Sequence, residues 1–453
     1  MFATDTGLLK GFMSHKRIKI TLINPKSMHA WESLGLGYLA SYSYKFGYYR
    51  NQYSFYHGEF DDHEVIVNGC KKADIIGFSL TTFQICEALE IIKKIKQINN
   101  KAKIVWGGYG VNGLSEDQLI DMYGDFVDYF VQGPGEEAWV EILQQSCSNR
   151  VIRKQSFEKL DDIPFPDREL IRIDRNFKKL EKLDEGRKTS MEMQRQACPY
   201  KCVFCAASSY CKVRRGSRTA ENIIGEMKEL RDKYTIDKDS MVLMCDAEVF
   251  LTKEMYKMAE LKIENGIEFG YGMNVVASTI IKPDQRRILS KMQESGLKEV
   301  WMGVESDPSL MHLTKKPITP DQVREAFKIT KEMGIVRKGY FILGFTPKET
   351  AQTIKNRIQF IEEINPDEVG FTIYIPVPGS TDYKHEIHKY IDYRNSCEYF
   401  NAYTKTDTLS NDDLQYWQRY LVDYFKNKIA YRQRGNETNS MIVLKKRTGR
   451  SGY

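Results

Sequence analysis

What most restricts the fold of this chain is an alternation, run through twice, of short apolar segments with stretches of helical periodicity. In the first half, residues 18–23, 75–80 and 104–108 are apolar runs of strand length, and residues 35–46 read as a helix. Between the second and third runs, Ile85, Leu89, Ile92 and Ile95 recur at helical spacing with lysines opposite. Strand, helix, strand predicts a parallel sheet covered on both faces. The pattern lapses after residue 150, where Pro164 and Pro166 mark a linker. It then resumes with strands expected at 189–194, 241–245, 271–275, 299–304, 336–343 and 368–375, each followed or preceded by a helical stretch. Six such strands predict a partial or complete β/α barrel, with chemistry at the carboxyl ends of its strands.

The fold class is therefore α/β, a doubly wound parallel sheet followed by a partial (β/α)6 barrel and a helical C-terminal extension. The expected divisions are a tail over 1–16, a first domain over 17–150, a linker over 151–187, the barrel over 188–380 and the extension over 381–453. With 42% hydrophobic and 28% charged residues the chain is not of the disordered class. Its charge, 67 − 61 = +6, is too small and too dispersed to argue a nucleic-acid partner, despite the basic end Lys445-Lys446-Arg447. No run of eighteen apolar residues and no signal-like start is present, so a cytoplasmic location without membrane attachment is expected.

Nine cysteines are an odd count, and six are scattered (Cys70, Cys86, Cys147, Cys211, Cys245, Cys397), which disfavours a disulfide framework. The other three fall in Cys198-Pro199-Tyr200-Lys201-Cys202-Val203-Phe204-Cys205, directly after the first barrel strand. Three thiolates so spaced can wrap one face of a cubane cluster and leave its fourth iron without a protein ligand. The competing readings are a zinc site lacking its fourth ligand and three ordinary buried cysteines. Structural zinc normally shows two paired ligand sets, and none follows here.

This Cys-x3-Cys-x2-Cys motif, with an aromatic residue before the last cysteine, resembles the radical S-adenosylmethionine (SAM) superfamily. The resemblance covers about residues 189–379. It implies a 4Fe-4S cluster on Cys198, Cys202 and Cys205, with the amine and carboxylate of SAM on the fourth iron, and reductive cleavage to methionine and a 5′-deoxyadenosyl radical. It further implies Phe204 near the adenine, Asp246 and Glu248 toward the methionine amine, and Glu305 of Gly303-Val304-Glu305-Ser306 on the ribose hydroxyls. Ile342, within Gly339-Tyr340-Phe341-Ile342-Leu343-Gly344, would pack on adenine, and Arg218 and Lys316 are candidates for the methionine carboxylate.

The first domain, Rossmann-like in pattern, resembles the cobalamin-binding domain joined to many enzymes of that superfamily. The likeness runs through the segments 34–40, Gly77-Phe78-Ser79-Leu80-Thr81, Trp106-Gly107-Gly108-Tyr109 and Val131-Gln132-Gly133-Pro134-Gly135-Glu136-Glu137. It implies a corrinoid passing over Ser79, Thr81, Gly107, Gly108, Gly133 and Glu136. The usual cobalt-ligating Asp-x-His-x-x-Gly is not matched, since Asp61-Asp62-His63 is followed by Ile66 where glycine should stand, and His63 is read as a surface histidine.

Together the resemblances imply a cobalamin-dependent C-methyltransferase acting on a small-molecule or natural-product substrate, reduced by an external donor such as flavodoxin or ferredoxin. The alternative is a cobalamin-independent dehydratase, rearrangement or oxidation enzyme with a degenerate first domain. A cluster-containing binding or sensor protein is a third class, which the weak net charge does not support for RNA. No second cluster set follows Cys245, since only Cys397 remains. Substrate and oligomeric state are not legible.

Overall fold

The computed structural model describes residues 18–26, 32–154, 159–182, 186–194, 198–207, 217–384, 393, 401–426 and 428. They form two six-stranded sheets. The first comprises β1 (Ile20–Asn24), β2 (Tyr53–His57), β3 (Ile75–Ser79), β4 (Lys103–Gly107), β5 (Tyr129–Gln132) and β6 (Val151–Arg153), in the order β2-β1-β3-β4-β5-β6. Every pairing is parallel, with Leu22 opposite Phe55 on one side and Gly77 on the other. Successive residues alternate between two cores. Leu22, Val105 and Trp139 fill one face, and Ile23, Ile76, Trp106 and the helix Ile85–Ile98 fill the other. Gly77 brings the sheet against the Trp139 ring, whose Cη2 would lie 3.0 Å from a Cβ there.

Two strands depart from the expected pattern. β2 was not anticipated because, as an edge strand, it has only Tyr53 and His57 buried. β6 falls in the segment expected to be a linker, which also supplies the helix Ile173–Lys182. The first sheet thus continues past residue 150.

The second sheet comprises β7 (Lys188–Met191), β8 (Met241–Met244), β9 (Gly270–Asn274), β10 (Leu297–Glu305), β11 (Val336–Leu343) and β12 (Glu368–Ile373), paired in parallel strictly in chain order. All six expected strands are present. β7 and β12 stay unpaired to each other, so the barrel is partial, and side chains cover both edges. Glu32, from the first domain, accepts bonds from Ser190 N (3.3 Å) and Thr189 Oγ1 (3.0 Å), while Arg168 Nη2 donates to Ser190 O (2.7 Å). At the other edge Gln418 Nε2 donates to Phe371 O (3.3 Å). Gln418 sits on the helix Asn411–Lys426, which closes the barrel core with Leu414, Leu421 and Phe425 and is the described helical part of the extension. No helix of the described residues is long and apolar enough to cross a membrane.

Candidate functional site at the barrel mouth

The cysteine loop is gripped from several sides. Asp246, just beyond β8, accepts bonds from Met193 N (2.6 Å) and Gln194 N (3.0 Å) at the end of β7. Gln194 exchanges two bonds with the Phe250 backbone, at 2.7 and 2.8 Å. Further along, Val203 N donates to Thr314 O (3.1 Å) and Thr381 N donates to Val203 O (2.9 Å). Residues after β7, β8, β10 and β12 therefore share one loop. Asp246 thus holds the backbone that leads from β7 toward the cysteine loop. Residues 195–197 and 208–216, including Cys211, lie outside the described residues, as does Cys397.

Cys202 is buried and Cys198 and Cys205 are half-buried, and none of the three is in a disulfide. Burial raises the Cys198 thiol and pushes Cys202 up to about 12, with the nearby Lys316 charge opposing both. Three thiols outside any disulfide, close enough to one another and to Lys316 to interact electrostatically, are a donor set that fits a metal cluster.

Glu248, Glu305 and Lys316 complete the pocket. Lys316 Nζ lies 2.6 Å from Glu305 Oε1, and both side chains are largely buried. Burial alone would lower the Lys316 ammonium, but Glu305 beside it holds it above its usual range. Glu248 is almost fully buried and accepts a bond from Val276 N (2.8 Å); burial pushes its carboxyl up to about 8, against that bond and Lys316. Glu305 adopts φ 71°, a left-handed conformation costly for a side-chain-bearing residue. The backbone around it is anchored from behind, where buried Arg357 binds Glu349 and reaches Ser306 Oγ (3.4 Å), and Glu349 also accepts Gly344 N. Neither Glu349 nor Arg357 carried a sequence signal beyond helix periodicity. Ile342 sits between core residues Phe341 and Leu343 and faces the opposite side, into the barrel. Phe204 meets Phe345 edge to face at 6.3 Å.

Arg218 lies elsewhere in the network. It is buried, pairs with Glu226 (2.6 Å), and also binds Asn222 Oδ1 and Glu192 O, each at 2.6 Å. A methionine carboxylate at Arg218 would have to displace Glu226, which Arg168 shares at 2.8 Å.

On the first sheet, Ser79 and Gly107 end adjacent strands in register, and a Cβ at Gly107 would meet nothing closer than 3.8 Å. That is an open cradle of the kind a corrinoid tail fits. Gly108 and Gly133 are required by the chain itself. Both have positive φ, and a Cβ would strike Leu80 O (2.7 Å) at Gly108 and Lys154 O at Gly133. The chain itself makes the close approach. Thr81 caps the turn that follows it through Gln84, with Oγ1 at 3.1 Å from Gln84 Oε1. Glu136 is buried in the first turn of the helix Glu136–Leu143. His63 is half-buried and pairs with Glu87 (2.6 Å) between two helices. The carboxyl edges of both sheets meet at one seam. Gly113, after β4, abuts Pro378, after β12, and Phe83 packs on Tyr393 at 6.1 Å.

Comparison with known proteins agrees with this arrangement. Residues 196–361 match the radical SAM superfamily model and residues 22–143 the B12 binding domain model. An uncharacterised methyltransferase of Pyrococcus horikoshii is 27% identical over 333 residues, covering 69% of each chain. Among solved structures, the radical SAM methyltransferase TsrM from Kitasatospora setae, with cobalamin and a [4Fe-4S] cluster bound, aligns with TM-score 0.61 at 16% identity over 82% of this chain and 77% of its own. The cobalamin-dependent SAM radical enzyme OxsB aligns with TM-score 0.61 at 15% identity over 91% of this chain and 61% of its own. At such identities the structural likeness speaks for the fold alone. The two domain matches imply a 4Fe-4S cluster, SAM and cobalamin as cofactors. The chain is thus an enzyme of the radical SAM superfamily in which a B12-binding domain precedes the radical SAM domain.

Proposed function

We propose that this enzyme is a cobalamin-dependent C-methyltransferase acting on a small organic molecule. The observation that carries the reading is the seam. The cysteine loop, Glu305 and Lys316 lie at the carboxyl edge of one sheet, and the Ser79–Gly107 cradle lies at the carboxyl edge of the other. Those edges meet through Gly113 and Pro378. The methyltransferase relative from Pyrococcus supports the same reading. When bound, the cluster and SAM supply a carbon radical able to remove an unactivated hydrogen, and the corrinoid supplies the methyl group.

In this reading Cys198, Cys202 and Cys205 each hold one iron. Glu305 accepts the ribose hydroxyls, held in orientation by Lys316. Glu248 faces the methionine amine, with Asp246 shaping the loop, and Ile342 and Phe204 border the adenine. Lys316 is better placed than Arg218 to meet the methionine carboxylate. Ser79 and Gly107 border the corrinoid, with Thr81, Gly108, Gly133 and Glu136 shaping the loops around it. A soluble electron donor of the flavodoxin or ferredoxin class supplies the reducing electron, and the location is cytoplasmic.

A second reading, radical chemistry without corrinoid, is favoured by Gly108 and Gly133, whose glycines answer to their own chain. Protein made with abundant cobalamin and purified without oxygen separates the two. Corrinoid absorbance together with transfer of a labelled methyl group from SAM to a product is the expected outcome. Iron without corrinoid, and products without added methyl mass, would leave only the second reading.

A further inference from the structure

Resting on the reading of Glu305 as the acceptor of the SAM ribose hydroxyls, we infer that the buried pair Glu349–Arg357 is a positioning device that holds the backbone of Glu305 in its binding shape. Glu305 stands at a break in the β10–β11 pairing, where the register slips between Gly303 and Glu305. Ser306 N donates to Val304 O (2.9 Å) and closes a three-residue turn over Glu305, whose φ is 71°. Turns of that hand are rare and strained, and they persist only where the surroundings over-determine them. A bulge re-aims the side chain at a strand end. Here that side chain is the carboxylate that meets Lys316.

What over-determines the turn lies behind it. Arg357, on the buried face of the helix Ala351–Ile364, reaches Ser306 Oγ (3.4 Å) and binds the Glu349 carboxylate. The other oxygen of that carboxylate accepts Gly344 N, at a second left-handed position (φ 75°) just past β11. One ion pair thus stitches the end of β10, beside Glu305, to the end of β11, two residues beyond Ile342. Ser306, Glu349 and Arg357 are each fully buried, and Arg357 Nε and Nη1 find no hydrogen-bond partner among the described residues. A buried charge pair with unmet donors adds little stability over an apolar pair of like volume. What its fixed geometry supplies is a single arrangement of the two strand ends.

Cluster-reconstituted enzyme, free of oxygen and of reductant, is dialysed to equilibrium against SAM and, separately, against methionine, which offers the amine and carboxylate without the ribose. Arg357→Lys keeps a charge for Glu349 but loses the fork that also reaches Ser306. It should keep wild-type iron content and methionine affinity, and bind SAM about threefold to tenfold more weakly. In a Glu305→Gln background the same substitution should add no further loss, because the two residues act as one unit. The cycle is run with Ser306→Ala as well, which removes a single hydroxyl and decides the question if Arg357→Lys fails to take up iron. Unchanged SAM affinity, an equal loss of methionine affinity, or a SAM loss of the same size with and without Glu305 overturns the proposal and leaves the pair a structural one. Unchanged SAM affinity in Glu305→Gln alone is a different result, which ends the ribose reading and this proposal with it.

Discussion

The Lys316 ammonium reaches Glu305 Oε1 directly over Gly303, and a side chain at position 303 would overlap both groups. One glycine thus admits the largely buried ion pair that orients the carboxylate proposed to hold the SAM ribose. Gly303→Ala should break that arrangement while leaving the cysteines untouched. A charge-assisted hydrogen bond is worth roughly 1.5–3 kcal/mol, or about tenfold or more in affinity. SAM affinity measured by equilibrium dialysis should fall by that factor with full iron content, and an unchanged affinity would return Glu305 and Lys316 to a purely structural role.

Replacing Cys198, Cys202 or Cys205 by Ala should abolish the cluster, since each thiolate holds a separate iron and none is spare. Cys70 and Cys147 serve as controls, Cys70 lying fully buried in the first domain. Reconstituted wild type and the two control variants should carry about four irons per chain. A stable cluster in any one of the three motif variants would refute the assignment.

Asp246→Asn removes an acceptor from a carboxylate that receives two backbone N–H groups in a buried setting. An unmet buried donor costs about 1–3 kcal/mol. The variant should show a lower thermal midpoint and slower, incomplete iron uptake, with the three cysteines intact. Wild-type stability and uptake would show that the loop does not depend on this tether.

Glu32 links the domains, and burial pushes its carboxyl up to about 7, against Arg168 and the bonds from Thr189 and Ser190. Between pH 4.5 and about 7 the folded chain keeps a proton that the unfolded chain has lost, so stability falls as pH rises through this window. Glu32→Gln removes that slope. Thermal midpoints at about pH 5 and pH 8 should differ more for wild type, in the direction of lower stability at the higher pH, than for Glu32→Gln. Parallel pH profiles would show that Glu32 titrates alike in both states.

Much of the fold can be read locally. The six barrel strands are recognisable because each carries an apolar run or alternation of the right length, and the cysteine loop because its three ligands are separated by only three and two residues. Edge strands were less visible. β2 buries few of its residues and β6 has three, so neither forms a two-sided apolar run. The likeness of Gly303-Val304-Glu305-Ser306 to a known motif pointed to Glu305, yet the reason for its glycine depends on Lys316, eleven residues from Glu305 in the chain.

What the sequence by itself determined is the order of elements, the cysteine loop after the first barrel strand, and the strand-end segments that make up the site. These follow from spacings of a few residues, over which backbone geometry is nearly fixed. Only the tertiary structure decided that Asp246 tethers the end of β7 ahead of the cysteine loop, that Arg218 belongs with Glu226, and that Gly108 and Gly133 make room for their own chain. It alone brought Glu32 to a strand edge 157 residues away and set the edge of the Tyr340 ring against Gly370. Such contacts join atoms from distant parts of the chain, and their distances are set by how the sheets and helices pack rather than by any local pattern of residues.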